Sequence, residues 1–161
     1  FDTAARAMYL TALIFAIVAV AGVYSWLLTV SGYALAATDY VNGLGLSPWA
    51  VLLAINLLLL FVGCVLDTAS AILVLTPLLL PIAKAAGIDP IHFGVIVVMN
   101  LSIGTFTPPF GIDIFVGQAV FKTPLASMYR GLVPFIIASL GALMVVTYIP
   151  QLSLWLPRLL S

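Results

Sequence analysis

Asn-Leu-Ser-Ile-Gly-Thr-Phe-Thr-Pro-Pro-Phe-Gly-Ile-Asp, residues 100–113, interrupts an otherwise apolar sequence, and its reading decides the fold. Pro108 and Pro109 offer no backbone N–H, and each ring clashes with the carbonyl a turn earlier. A helix arriving through Val95 to Ile103 therefore cannot run on unchanged. Gly104 and Gly111 bracket the interruption with permissive backbone. The break frees carbonyls at the end of one half-helix and N–H groups at the start of the next, and in hydrocarbon neither can stay unpaired. Such a break belongs where it is buried in protein or lines a polar cavity. Asn100, Ser102, Thr105, Thr107 and Asp113 around it favour the cavity. Discontinuous helices of this kind are where secondary transporters place substrate and coupling-ion sites.

The surrounding composition agrees with a membrane setting. Of 161 residues, 65% are hydrophobic and 6% charged, and the mean hydropathy is +1.32, whereas about a quarter of an ordinary soluble domain is charged. The expected class is an all-α polytopic membrane protein. Five Lys and Arg balance five acids, every one an Asp, so no basic footprint for nucleic acid is present. Cys64 has no partner for an internal disulfide and reads as a small buried hydrophobe. No signal peptide is read after Phe1. The chain is expected to be the C-terminal portion of a longer one.

Arg6 introduces an apolar run over 7–30, about the 20 residues that cross a bilayer core of ~30 Å. Residues 33–46 mix Tyr33, Thr38, Asp39, Tyr40 and Asn42 with apolar residues and predict a short interfacial helix. Ser47 and Pro48 are start signals for a helix to about Val65. A second apolar arm runs from Asp67, Thr68 and Ser70 through Pro77 and Pro81 to Ala86, and these prolines predict a kinked or partly unwound arm. The few residues between the arms include no Lys or Arg, so 48–86 reads as a re-entrant hairpin whose tip, Gly63 to Ser70, stops at membrane depth. Two ordinary short spans are the alternative. Gly87, Asp89 and Pro90 end one helix and start the next. That helix enters the break and re-emerges by Phe121, making 90–121 one broken transmembrane helix. A loop to Arg130 leads to a last span over 132–149, and Trp155, Pro157 and Arg158 form an interfacial tail. Arg6, Lys122 and Arg130 on the cytoplasmic side would leave Lys84 and Arg158 outside.

With both elements placed, the sequence resembles the large membrane subunit of tripartite ATP-independent periplasmic (TRAP) transporters, the DctM-like permease, over its C-terminal half. The match is carried by Leu75 to Ile82 (Leu-Thr-Pro-Leu-Leu-Leu-Pro-Ile), Gly87 to Gly94 (Gly-Ile-Asp-Pro-Ile-His-Phe-Gly), Asn100, and Ile103 to Gly111 (Ile-Gly-Thr-Phe-Thr-Pro-Pro-Phe-Gly), with Tyr148 to Pro157 in the tail. The resemblance implies an elevator-type transporter half, the second of two inverted repeats, each with a hairpin and a broken helix. It implies sodium as coupling ion, organic-acid import (dicarboxylate, sialic acid or sugar acid), a small DctQ-like membrane subunit and a periplasmic DctP-like binding protein. A bacterial inner membrane follows, with its lipid as the remaining partner and no covalent cofactor. Carried onto this chain, the implied site lies between the hairpin tip and the break. Its candidates are Gly63, Asp67, Thr68, Ser70, Asn100, Gly104, Thr105, Thr107, Pro108, Pro109, Gly111 and Asp113. Sodium is a hard cation that favours oxygen ligands, and Gly104, Thr105 and Thr107 are the sodium candidates. Helix amino ends after Asp67 and Gly111 present positive dipole ends suited to a carboxylate.

Plainer roles stand beside these. Asp67 can be a helix cap, Asp113 a cap or a cavity-facing acid, and Asn100 a glue between helices. His92, with no second His or Cys nearby, reads as an interfacial hydrogen-bonding residue. Lys84, Lys122, Arg130 and Arg158 read as topological anchors. An intramembrane hydrolase would need Ser70 or Ser102 beside a base, or Asp67 and Asp113 within reach of each other, and is not favoured. A sodium-coupled carboxylate symporter without a binding protein is the closest alternative; a channel or a structural membrane subunit is more distant.

Overall fold

The structure, a computed structural model, describes residues 2–160. Its elements are helices α1 (Asp2–Val30), α2 (Tyr33–Gly43), α3 (Pro48–Val65), α4 (Thr68–Ala85), α5 (Pro90–Gly104), α6 (Ile112–Phe121), α7 (Leu125–Tyr148) and α8 (Gln151–Leu160). By length and composition α1, α3, α4 and α7 can each cross a bilayer, while α5 and α6 are shorter apolar helices.

Local signals start the central helices. The Ser47 hydroxyl accepts the Ala50 N–H at 3.3 Å, with Pro48 next in line. One Asp67 carboxylate oxygen accepts from Ser70 N at 2.9 Å and heads α4. Asp89 accepts from Ile91 N at 2.8 Å and His92 N at 3.3 Å, again with proline at the first helical position. Each satisfies amide groups that a helix start leaves without a partner. The two short turns at 66–67 and 86–89 send α4 back along α3 and then bring α5 alongside α3 in the same direction.

The core lies where α3, α4 and α5 meet. Leu52, Ile55 and Leu59 of α3 face Phe93, Ile96, Val97 and Leu101 of α5, with Leu79 and Ala83 of α4 closing the third side. In lipid, apolar burial alone gives helices little reason to associate; close van der Waals packing and interhelical hydrogen bonds hold them. At one end of this bundle the starts of α3 and α5, the ends of α4 and α7, and α8 surround a cavity of about 390 Å³, lined by Trp49, Leu52, Asp89, His92, Thr147 and Arg158 among others. The opposite end carries the α3–α4 turn and the α5–α6 break. The helix α1 packs on α2 and α4 and keeps its apolar length exposed.

Five expectations change. Helix α4 runs unbroken through Pro77 and Pro81 instead of unwinding. Proline's fixed φ is compatible with a helix, so the loss is two amide donors rather than the conformation. Both prolines line a crevice against Ser25, Leu28 and Thr29 of α1. The last span begins at Leu125, not after Arg130, because Leu125, Ala126 and Met128 are good helix formers once Pro124 has ended the preceding turn. The interfacial helix stops at Gly43, short of 46, and the tail after Pro150 is itself a helix, α8. The first helix extends back to Asp2, beyond the expected start at 7.

Asp89→Ala should lower stability by about 1 kcal/mol, the ordinary value of an N-cap, while Asp89→Asn should lose little. Thermal unfolding of the two variants in detergent checks this.

Candidate functional site

The two stretches singled out in the sequence meet. Gly63, in the last turn of α3, and Gly104, the last residue of α5, are both buried and bring their backbones into direct contact. A Cβ on Gly104 would lie 2.5 Å from the Gly63 carbonyl carbon, 2.6 Å from its Cα and 2.9 Å from Cys64 N. A Cβ on Gly63 would lie 3.1 Å from the Leu101 backbone. Only glycine allows this approach.

A backbone hydrogen bond joins the same two stretches. Gly111 N donates to the Cys64 carbonyl at 3.2 Å, and the Cys64 thiol reaches the Pro108 carbonyl at 3.5 Å. Gly111 has φ +50°, a left-handed conformation in which glycine carries no Cβ penalty, and it opens α6 without a side-chain cap. Its amide, an unpaired donor in any isolated half-helix, is therefore satisfied from the hairpin tip.

The break is a tight series of turns. Thr105 N bonds Leu101 O at 3.2 Å and Thr107 N bonds Gly104 O at 3.0 Å. The Thr107 hydroxyl donates back to Ile103 O at 2.6 Å. The Thr105 hydroxyl lies 2.7 Å from an Asp113 carboxylate oxygen and 2.8 Å from Ser102 O, and Asp113 N donates to Thr105 O at 3.0 Å. Asp113 thus ties α6 back to the end of α5 and does not cap α6. Tyr129 of α7 donates its hydroxyl to Pro109 O at 3.3 Å. Among the described residues, the carbonyls of Phe106 and Thr107 accept no hydrogen bond.

At the tip, Thr68 and Ser70 are half-buried and Asp67 is exposed, occupied by its cap to Ser70 N. Asp67 and Asp113 are thus engaged separately, one with its own helix start and the other with Thr105. The dipole end of α4 already holds the Asp67 carboxylate, and Asp113 sits in the first turn of α6.

Asn100 lies one turn before Gly104 and is fully buried. Its amide nitrogen donates to Asn56 Oδ1 at 2.6 Å and Ile96 O at 2.8 Å, so it does glue α5 to α3. Its Oδ1 is buried without a partner. Thr107 lies beyond the end of α5, which stops at Gly104. His92 is 2% exposed rather than at a wet surface, held between Ser153 Oγ at 2.7 Å and the Thr147 carbonyl at 3.2 Å.

Sequence reasoning missed Asn56, Thr147 and Tyr129. Asn56 carried a signal, since it is the one amide side chain in the apolar run 48–65. Thr147 and Tyr129 carried none, because their roles arise only when α7 folds back on α5.

Gly104→Ala should force α3 and α5 apart at this point and destabilise the fold by about 1–3 kcal/mol, the usual cost of overpacking. Gly94→Ala on the same helix, where a Cβ meets nothing within 4 Å, should cost little. Melting temperatures of the two variants, measured side by side, decide it.

The chain matches the family described as tripartite ATP-independent periplasmic transporter, DctM component, over residues 1–152. It is 42% identical over 152 residues to the C4-dicarboxylate TRAP transporter large permease protein DctM of Pseudomonas aeruginosa, covering 94% of this chain and 36% of that protein. It is 38% identical over 137 residues to the sialic acid TRAP transporter large permease protein SiaM of Vibrio cholerae, covering 85% and 32%. Against the 2,3-diketo-L-gulonate TRAP transporter large permease protein YiaN of Escherichia coli it is 37% identical over 142 residues, covering 88% and 33%. The chain spans about a third of the length of these relatives. With its apolar helices and its proline-broken α5–α6 unit, it belongs to the DctM family of TRAP transporter large permeases, which are multi-pass proteins of the inner membrane.

Proposed function

We propose that this chain is the second repeat of a large membrane subunit in a sodium-coupled, binding-protein-dependent transporter that imports organic acids by an elevator mechanism. A small DctQ-like membrane subunit and a periplasmic DctP-like binding protein complete the system. The observation that carries the reading is the closure of the hairpin tip on the break, through the Gly63–Gly104 contact and the Gly111–Cys64 hydrogen bond.

Length arithmetic supports a re-entrant hairpin. The 15 residues of α5 rise about 22 Å, short of a ~30 Å bilayer core. The break therefore falls inside the membrane, and the tip that touches it stops at the same depth. Non-helical backbone at that depth is tolerated where it is buried in protein or lines a cavity.

The oxygen chemistry of the break suits sodium. Around Gly104 the hydroxyls of Thr105 and Thr107 keep lone pairs after donating their protons, and the Phe106 and Thr107 carbonyls accept no bond within the chain. These are uncharged oxygen ligands of the type a hard cation takes. The unpaired Asn100 Oδ1 adds an acceptor one turn away. Pro108, Pro109 and Gly111 shape the loop, and Gly63 and Asp67 to Ser70 form its facing wall. The named relatives handle a C4-dicarboxylate, sialic acid and 2,3-diketo-L-gulonate. All three are carboxylic acids, which supports an organic acid as the substrate class.

Sodium-dependent uptake into proteoliposomes tests the reading, using the full-length parent chain, its small subunit and binding proteins loaded with candidate acids. Uptake should require both sodium and the binding protein, and Thr107→Ala should raise the sodium concentration for half-maximal uptake by about tenfold, equivalent to about 1.4 kcal/mol. Asp67→Ala should also weaken the sodium response by loosening the tip. Uptake without any binding protein would move the chain to the ordinary carboxylate symporters. An unchanged sodium response in Thr107→Ala would remove that residue from the ligand set.

A further inference from the structure

The buried polar side chains among the described residues are Asn56, His92, Asn100 and Thr147. They form one continuous chain of hydrogen bonds. Asn100 Nδ2 donates to Asn56 Oδ1 at 2.6 Å, and Asn56 Nδ2 approaches Thr147 Oγ1 at 3.3 Å. The carbonyl of that same Thr147 lies 3.2 Å from His92 Nε2, and His92 Nδ1 lies 2.7 Å from Ser153 Oγ. The chain starts on α8, passes α5, α7 and α3, and returns to α5 one turn before Gly104.

The roles of the imidazole nitrogens follow from their partners. A backbone carbonyl has no proton to give, so Nε2 carries the hydrogen and donates to Thr147. In the neutral ring Nδ1 is then the acceptor, and the Ser153 hydroxyl donates to it. The two contacts differ in reach. The Nε2 bond ends on Thr147, whose hydroxyl continues to Asn56, whereas the Nδ1 bond ends on Ser153 at the rim of the bundle.

We propose that His92 is a positioning residue for the tip–break site. Its Nε2–H bond pins the end of α7 to α5 and holds Thr147 against Asn56. The Asn56–Asn100 pair in turn sets the register of α3 on α5 that brings Gly63 onto Gly104. A buried pair of amides specifies register because a slip would leave its polar atoms unpaired in an apolar surrounding.

The test uses side chains that mimic one nitrogen each, since Gln Nε2 overlays the imidazole Nε2 and Asn Nδ2 overlays Nδ1. His92→Gln and His92→Asn are made in the full-length parent with Cys64 as its sole cysteine, reconstituted with its small subunit. The rate at which a maleimide labels Cys64, buried at the contact, reports how firmly tip and break are closed. His92→Gln should label within about twofold of the unmodified protein, and His92→Asn about fivefold faster, fivefold being about 1 kcal/mol. In sodium-dependent uptake His92→Asn should raise the half-saturating sodium concentration by a similar factor while the maximal rate changes little. Thr147→Val, which keeps the carbonyl and loses the hydroxyl, should behave as His92→Asn does and replaces it if that variant fails to fold. Equal labelling by His92→Gln and His92→Asn, or a Thr147→Val rate matching the unmodified protein, would overturn the proposal. The uptake readout rests on the transporter reading. If the unmodified protein shows no such uptake, that reading falls and the labelling rates still decide the role of His92.

Discussion

The approach of the α3 and α5 backbones at Gly63 and Gly104 is the contact on which the rest depends. Helices in lipid gain little from hiding apolar surface, since the acyl chains are as apolar as leucine. What remains is the density of contact and the hydrogen bonds it permits. With no side chain on either residue, the carbonyl of Cys64 comes close enough to accept from Gly111 N, so the hairpin supplies an acceptor that the broken helix needs. The hairpin tip and the break are in this sense halves of one element. Separating them would leave backbone groups unpaired, each costing several kcal/mol in an apolar surrounding.

From the other end of the same helix pair a run of polar side chains leads back toward the glycines. The bonds from Ser153 through His92, Thr147 and Asn56 to Asn100 join four helices. Uncharged amides and hydroxyls suit this role, because a buried ion would need a partner and a large desolvation cost. The unpaired Oδ1 of Asn100 marks where the ladder ends, on the side of the tip and the break. Structural polarity and candidate ligand oxygens thereby meet at Asn100, one helical turn before Gly104.

Much of this was legible in the sequence because the decisive signals are local. Pro108, Pro109, Gly104 and Gly111 declare the break, and Ser47-Pro48, Asp67 and Asp89-Pro90 declare helix starts by chemistry that acts within four residues. The errors have the opposite origin. Pro77 and Pro81 look like helix breakers in isolation, yet α4 absorbs them where it packs against α1. Asp113 looked like a cap or a cavity-facing acid, and it does not cap α6 but accepts from Thr105 across the break. Asn100 announced a polar role but not its partner, since Asn56 lies 44 positions away and nothing local points to it. His92 was read as a hydrogen-bonding residue at a boundary; the helix α8 that covers it was read only as a tail.

In the proposed function the hairpin tip and the break close on one another and the closed pair holds sodium. Sodium protection of Cys64 tests it most directly, because that side chain sits in the contact itself, its thiol on the Pro108 carbonyl. In the reconstituted full-length parent with Cys64 as sole cysteine, maleimide labelling is followed in sodium and in an equal concentration of potassium. Labelling should be slower in sodium, with the protection lost in Thr107→Ala. Equal rates in the two salts, in a protein that still imports its substrate on a sodium gradient, would contradict it.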